Sequence, residues 1–572
     1  MTVVARPDQD VQLVWRTALD PNVRVPTPSA HRLACSGHPD GGFPPEPWAA
    51  VVTVEDGVTA ASVSPAFTGG LFWAWRNGNL LFADNVRHLV DHLAPDVDLD
   101  ADFIRAFALL PRDVPGTCTP FRQIRRIEPG TTAIWAALPP SAARTHPSPR
   151  TVVWCGPDAW GEPRVAGPET LNHYLEAFDA SVDAMLGPGP IVTQLSGGLD
   201  SSFVAASLLR HATAHDPVQA LCHSPTPEAQ LAPEARWDPD DYPVARTMED
   251  AYPGLIVVHR VHPPAGADPL AAAAESSAGT GVPTFNPGNQ VWINQLNGLA
   301  AELGANRLFT GAWGNASFSY DHDYATGYYV RRGHLGAAWR SLAPNRHGLP
   351  SRTALRNRVR APLVGILRHA LTPDAADWLR RHLLRREGSS TAYPSLIGLG
   401  YLGTDAAFPR VNRSEYLKWL AGAGPLGMAA MFSAQRVPAV DPFTTAQVRT
   451  LAAAITPLEW SRGLGSRGYA RLLGESRVPD TIRLRTRRGG QSWDEWYQIR
   501  NRRQRYLDEA AEVANTPILG GWVDHSALIA ILEAWPWGQV TGPGKMPVLA
   551  MNRILALASY VRASSEWSNS GR

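Results

Sequence analysis

Lysine is nearly missing from this chain: of its 53 basic residues only Lys418 and Lys545 are lysine. That bias reflects a GC-rich coding sequence more than chemistry, so neither lysine by itself marks a site. Cysteine is scarce as well. Cys35, Cys118, Cys155 and Cys222 are scattered and no pair has C-x-x-C spacing, which excludes a disulfide framework and a zinc site of the usual spacing. Charge of one sign is also lacking: 53 basic against 52 acidic residues leave a formal +1, too little to gather nucleic acid or anionic lipid along the whole chain. No apolar run reaches the ~18 residues of a membrane span. The first twenty residues carry Asp8, Asp10 and Arg16 within their apolar stretches, against a signal peptide. A cytoplasmic protein with neither a nucleic-acid nor a membrane partner is expected. What is present, 572 residues at 44% apolar and 18% charged, suits two or more soluble globular domains.

The first ~135 residues alternate short strands with turn chemistry. Val51 to Val54 and Val58 to Val63 flank Asp56-Gly57, and Leu71 to Trp75 and Leu80 to Phe82 flank Asn77-Gly78, so two hairpins are predicted. Helical stretches at Asn85 to Leu93 and Ala101 to Leu109, then a strand at Thr131 to Trp135, make this an α+β domain. Pro139, Pro140, Ser141, Pro147, Ser148 and Pro149 mark a linker, with the boundary between about 139 and 168. Beyond it Leu171, Leu175, Phe178, Val182 and Met185 recur at helical spacing. Apolar strand candidates at Ile191 to Leu195, Val218 to Cys222, Leu255 to Val261 and Arg307 to Thr310 alternate with helical stretches, the pattern of a parallel α/β sheet. From Gly336 onward the sequence reads as mostly helical, without internal repeats.

One string carries chemistry. Ser196-Gly197-Gly198-Leu199-Asp200-Ser201-Ser202 lies between a predicted strand and a predicted helix, where glycine lets backbone approach an anion and the helix N-terminus offers unpaired N–H donors. Three serines add hydroxyl donors, and Asp200 adds a hard oxygen suited to magnesium beside a phosphate. Together they suit adenylation of a carboxylate, in which magnesium pyrophosphate must be stabilised as it leaves. A capped strand-to-helix turn is the bland alternative, but seven residues in this setting outweigh it. The string is not a P-loop, since no G-K-[ST] follows.

This string resembles the pyrophosphate loop of the asparagine synthetase family, whose synthetase domain is an N-type ATP pyrophosphatase. Further matches run in order along most of the chain: Leu80 to Asp84, Pro120 to Ile124 and Ile127 to Gly130 in the first half, then Arg307 to Asn315, Val478 to Arg483 and Arg485 to Gln491. The resemblance implies a degenerate class II glutaminase-like (Ntn) sandwich over residues 1–150 and a parallel-sheet ATP-pyrophosphatase synthetase domain with a helical C-terminal part over 165–572. It also implies ATP and Mg2+ as cofactors. Leu195, Ser196, Gly197, Gly198, Leu199, Ser201, Ser202, Cys222, Thr310 and Gly311 would contact the nucleotide, Asp200 and Asn315 the metal. Arg487, one position uncertain because Arg488 adjoins it, would serve adenylation with Asp200.

Departures from the pattern refine this. Glutamine-dependent members expose a cysteine after methionine removal, whereas this chain reads Met1-Thr2-Val3, so a scaffold without glutaminase chemistry is expected. Asn315 stands where the family usually has a magnesium-binding Asp, and Ala312 where some relatives have an acid or tyrosine. Gly311-x-x-Gly314-Asn315-x-x-x-Ser319, Pro283 to Asn286, Asn289-x-x-Trp292 and Asp441 to Thr444 are similar to lasso peptide macrolactam synthetases. That likeness implies a precursor core peptide as substrate, with a leader-binding protein and a leader peptidase as partners. Trp292, Trp313, Asn315 and Ser319 would line the peptide side, with Tyr320 nearby. Ordering about ten peptide residues costs roughly 10 to 20 kcal/mol, so a large aromatic-walled cavity is expected, and twenty tryptophans allow one. No general base is evident. The nine arginines from Arg352 to Arg386 read as a solvated face rather than a docking surface. Competing readings are an ammonia-dependent asparagine synthetase, a small-molecule lactam synthetase, and a non-catalytic scaffold.

Overall fold

The structure is a computed structural model. It describes residues 2–5, 11–16, 49–55, 58–64, 70–109, 117–135, 148–153, 164–229, 231, 237–319, 329, 333–337, 383–384, 436–460, 467–534 and 545–569. Tyr320 and the arginines from Arg352 to Arg386 lie outside these residues.

The N-terminal strands are β1 (Thr2–Ala5), β2 (Val11–Arg16), β3 (Ala49–Glu55), β4 (Val58–Val63), β5 (Leu71–Arg76), β6 (Asn79–Ala83), β7 (Arg125–Ile127), β8 (Thr131–Trp135) and β9 (Arg150–Val153). They form two antiparallel sheets, ordered β2-β3-β4-β8-β9 and β1-β6-β5-β7. Both predicted hairpins are there. In the second, Asn77 and Gly78 have φ of 51° and 78°, the two left-handed residues that a tight turn matching the strand twist needs. Val52, Val54, Ala61 and Val63 of one sheet and Leu71, Leu80, Phe82 and Ile127 of the other share one core. Trp135 sets its edge against Phe82 and Trp73 there, at 5.5 and 5.1 Å between ring centres. β9 carries this sheet to Val153, into the stretch expected to be linker, because its backbone pairs with β8 although its side chains stay largely exposed.

Helices α1 (Val86–Leu93) and α2 (Ala101–Leu109) follow β6. Asn85 caps α1, its side chain accepting the His88 N–H. The buried faces of both helices join a core that includes Leu270, Leu528, Met551 and Ile554 from the second half of the chain.

That second half runs through α3 (Glu169–Met185), β10 (Val192–Gln194), α4 (Leu199–Leu208), β11 (Val218–His223), β12 (Trp237–Asp238), β13 (Ile256–Val261), α5 (Pro269–Thr280), α6 (Pro287–Glu302), β14 (Leu308–Phe309), β15 (Ala439–Val440), α7 (Ala446–Ala454), β16 (Arg488–Gly489) and α8 (Lys545–Asn569). Among the described residues no helix is long and apolar enough to cross a membrane. Five strands pair in parallel in the order β13-β11-β10-β14-β15. All four strands expected from sequence belong to it, and β15 completes it. Apolar clusters cover both faces: Phe178, Phe203, Val204 and Phe443 belong to one, Val192, Leu221, Leu296 and Leu308 to another. The strand order reverses between β10 and β14, so the carboxyl ends of these two strands form the topological switch point, the usual ligand position of such a sheet. β12 and β16 make a separate two-stranded pair, which the helical reading of the C-terminal part did not anticipate.

Candidate functional site

The loop after β10 turns sharply into α4. Gly197 has φ of +61°, which favours glycine, and a Cβ on it would lie tightly, 3.0 Å from the Ala245 nitrogen and 3.1 Å from Val244. Gly198 is the N-cap and makes no side-chain cap, which leaves the first-turn N–H groups of α4 to an incoming acceptor. Ser201 is buried and its Oγ accepts the Ser196 N–H at 3.1 Å while lying 3.0 Å from the Ser196 Oγ. This pairing ties the two ends of the loop together. Ser202 is fully buried, and its hydroxyl finds no partner among the described residues. Leu195 and Leu199 flank the loop in the core beneath it.

The loop after β14 packs directly on this turn. A Cβ at Gly311 would lie 2.8 Å from the Ser201 nitrogen, and one at Gly314 only 2.2 Å from Asp200 Oδ1. The two glycines thus let one backbone lie against the first turn of α4. Asp441, just past β15, holds this second loop: Thr310 Oγ1 and the Trp313 N–H donate to its Oδ2 at 3.0 and 3.1 Å, and the Phe443 N–H donates to its Oδ1 at 3.0 Å. Burial raises the Asp441 carboxyl to about 7 despite these three bonds, with nearby Asp200 adding to the rise. The Thr310 hydroxyl is therefore engaged with Asp441, and what the loop offers a nucleotide is chiefly backbone at Gly311.

Asp200 is the carboxylate at the meeting point. Its side chain is 14% exposed, and Oδ1 has no hydrogen-bond partner among the described residues. Burial raises its pKa, offset by the Arg467 charge and by a hydrogen bond with Ser319. Arg467 Nη1 lies 3.8 Å from Asp200 Oδ2, and its Nη2 donates to Asn315 Oδ1 at 3.1 Å. Ser319 Oγ also lies 3.3 Å from Asn315 Oδ1. Asp200, Asn315 and Ser319 are thus brought together, and Arg467, to which no sequence motif pointed, joins them. It follows a Gly- and Ser-rich stretch with no motif, and its tertiary position alone distinguishes it. The oxygens here of a kind that magnesium takes are the unpartnered Asp200 Oδ1 and the Asn315 amide oxygen, the latter already accepting from Arg467.

The basic loop behaves differently from expectation. Arg487 Nε pairs with Asp238 Oδ1 at 2.6 Å and its Nη2 donates to the Trp237 carbonyl at 3.0 Å, while Arg488 is exposed on β16. Arg485, two residues before Arg487, is the residue that reaches the Ser196 to Ser202 loop. Its side chain is 9% exposed, and Nη1 donates to the Gly197 carbonyl at 3.3 Å. It also pairs with Asp238 at 2.7 Å and Asp241 at 3.2 Å. Burial outweighs that pairing and raises Asp241 to about 6. The intervening acids explain the difference: Asp238 uses one oxygen for each arginine and draws Arg487 to the β12–β16 pair.

Trp292 and Trp313 lie on different elements of the sheet's carboxyl edge. Trp292 of α6 stacks on His223 at the end of β11, 5.7 Å between ring centres, and Trp313 in the second loop lies under Arg449 at 5.9 Å. Cys222 is fully buried within β11, and burial with nearby Asp241 and Asp240 pushes its thiol well up, so the side chain is core rather than a nucleotide contact. Cys222 is a free thiol.

With this geometry established, comparison with protein families matches residues 173–555 to Asparagine synthase. Curated proteins gave no match. The matched stretch includes the parallel sheet, both site loops, Arg467 and the basic loop, and exceeds half of the 572 residues: the chain belongs to the asparagine synthase family, whose general chemistry is ATP-dependent amide-bond ligation.

Proposed function

We propose that this protein is an ATP- and magnesium-dependent, AMP-forming ligase that closes a lasso peptide macrolactam. The observation that carries the reading is the Ser196 to Ser202 loop at the switch point of the sheet, with Asp200 turned to the second loop and its Oδ1 unpartnered. The first-turn N–H groups of α4 and the serine hydroxyls would bind pyrophosphate, while Asp200 and Asn315 would hold magnesium. When bound, magnesium neutralises charge on the phosphates as the leaving group departs. Arg485 keeps the loop in shape from beneath through the Gly197 carbonyl.

In the proposed reaction an Asp or Glu side-chain carboxylate of a leader-cleaved core peptide attacks the α-phosphorus of ATP, and pyrophosphate leaves. The peptide's N-terminal amine then attacks the acyl carbon, loses a proton and expels AMP, which forms the isopeptide bond. The Gly311 to Ser319 spacing and the adjoining Asp441 to Thr444 segment favour this branch of the family. Trp292, Trp313 and Ser319 are assigned to the peptide side. The N-terminal sandwich, residues 1–150 with β9, is assigned a scaffold role, and a leader-binding protein and leader peptidase would deliver the peptide in the cytoplasm.

The test incubates purified protein, ATP and magnesium with leader-free core peptide, or with aspartate and ammonium, and follows AMP and product mass together. AMP release with a peptide lighter by one water supports the proposal. Asparagine would assign the protein to the ammonia-dependent branch, and no AMP with either substrate would favour the scaffold reading.

A further inference from the structure

Asn289, which opens the Asn289-x-x-Trp292 spacing in the first turn of α6, turns its amide to the far end of the basic loop. Its Oδ1 accepts the Ser492 hydroxyl at 2.7 Å and its Nδ2 donates to Gln491 Oε1 at 3.2 Å, across 203 and 202 positions of the chain. Both atoms of the amide are therefore engaged within the protein. Ser492 is 3% exposed and has φ of 51°, a left-handed backbone that a side-chain-bearing residue keeps only where its surroundings enforce it. The neighbouring contacts hold the same segment. A Cβ on Gly288 would lie 2.4 Å from the Glu495 carboxyl carbon, so α6 starts directly against residues 491–495. From the other side the Thr226 N–H and hydroxyl both donate to Asp494 Oδ2 at 2.7 Å.

From this grip the hydrogen bonds run on to the Ser196 to Ser202 loop. The Gly490 N–H donates to the Asp238 carbonyl at 2.9 Å, the Asp238 carboxylate pairs with Arg485 at 2.7 Å, and Arg485 donates to the Gly197 carbonyl at 3.3 Å. The backbone between is packed on both sides: a Cβ would lie 2.0 Å from Asp241 Oδ2 at Gly489 and 1.3 Å from Trp493 Nε1 at Gly490. A segment packed this closely shifts as a unit, so a change at Ser492 is felt at Arg485.

We propose that Asn289 is a positioning residue: its amide clamps Ser492 and Gln491 and thereby fixes the Arg485 to Gln491 loop against the Ser196 to Ser202 loop, without itself touching substrate. Its effect on turnover rests on the reading of the protein as an AMP-forming ligase.

The test reads the loop and the chemistry separately, on the full chain. Limited trypsin digestion with mass spectrometry times cleavage after Arg485, Arg487 and Arg488 relative to other arginines, thermal melts follow global folding, and AMP release with leader-free core peptide gives kcat and KM. Asn289→Ala should speed cleavage in the loop about fivefold, the ratio that one lost hydrogen bond of ordinary strength gives, with little change in melting temperature. It should lower kcat and leave the peptide KM unaltered. Ser492→Ala, which leaves α6 intact, should do the same and carries the test if Asn289→Ala does not fold. The double variant should be no worse than Asn289→Ala, and Asn289→Asp, which keeps an acceptor for the Ser492 hydroxyl, should recover part of both readouts. Unchanged cleavage in both single variants, or a raised peptide KM at unaltered kcat, which would make Asn289 a substrate contact, overturns the proposal alone. No AMP from the unaltered protein overturns the ligase reading, and the cleavage rates then still decide whether Asn289 clamps the loop.

Discussion

Asp200 and Asp441 are both buried carboxylates with raised pKa, yet they differ in what they touch. Asp441 is engaged on both oxygens within the protein, whereas Asp200 keeps one oxygen unpartnered and pays for its burial with a distant guanidinium. Asp200→Ala removes a charged form that burial disfavours, so melting temperature should change little while AMP formation is abolished; normal turnover in the purified variant would exclude the assignment. Asp441 gives a pH prediction. Its folded pKa, about 7, lies above the ordinary 3.8, so its contribution to stability is complete below ~4 and is lost as pH rises through 7. Asp241, at about 6, has the same sign over a narrower window. Denaturant titrations from pH 4 to 8 should show stability falling across that range, and Asp441→Asn should flatten the fall; an unchanged slope would refute the linkage.

At the scale of elements, the site is two loops in backbone contact. The glycines matter because a side chain at either would collide: Gly311 faces the backbone of Asp200 and Ser201, and Gly314 faces the Asp200 side chain, whose Cβ would lie 2.6 Å away. Gly314→Ala should therefore push the second loop off α4. The expected cost is about 1–3 kcal/mol of stability, as for other overpacked positions, with weaker nucleotide binding in calorimetry. Retained affinity would show that Asp200 can turn aside without consequence. The first loop was legible in sequence because glycine and serine in fixed order encode backbone shape locally, whereas the second was read from its resemblance to the family's loop. The anchoring of the second loop by Asp441 was visible only as a resemblance, since the bonds span 128 and 131 positions.

At the scale of the whole molecule, the two halves share a core. Val86, Leu89, Phe103 and Phe107 from the first half lie in one cluster with Leu270, Leu528, Met551 and Ile554 from the second. The contact is close: a Cβ on Gly281 would lie 2.4 Å from the Arg87 nitrogen, the Tyr560 hydroxyl donates to the Gly281 carbonyl at 2.9 Å, and Arg87 lies 4.4 Å over the Trp567 ring. Gly281 also has φ of +72°, so Gly281→Ala combines backbone strain with a backbone clash. It should destabilise the protein by about 2 kcal/mol or more while leaving one cooperative transition in calorimetry. A separate early transition for the N-terminal unit would mean that the shared core does not couple the halves.

The sequence by itself determined the local features. Alternation and turn residues specified the hairpins, apolar runs bounded by helical periodicity specified the parallel sheet, and the Ser196 to Ser202 string specified a sharp glycine turn into a helix N-terminus. These are short-range consequences of side-chain period and backbone freedom. Tertiary structure decided which charges meet there. Arg485 rather than Arg487 reaches the loop because Asp238 and Asp241, more than 240 positions away, distribute the two arginines, and Arg467 stands beside Asp200 because a left-handed residue in an unremarkable stretch is carried there by Arg471. Ion pairing depends on distance in space, which spacing along a chain does not encode.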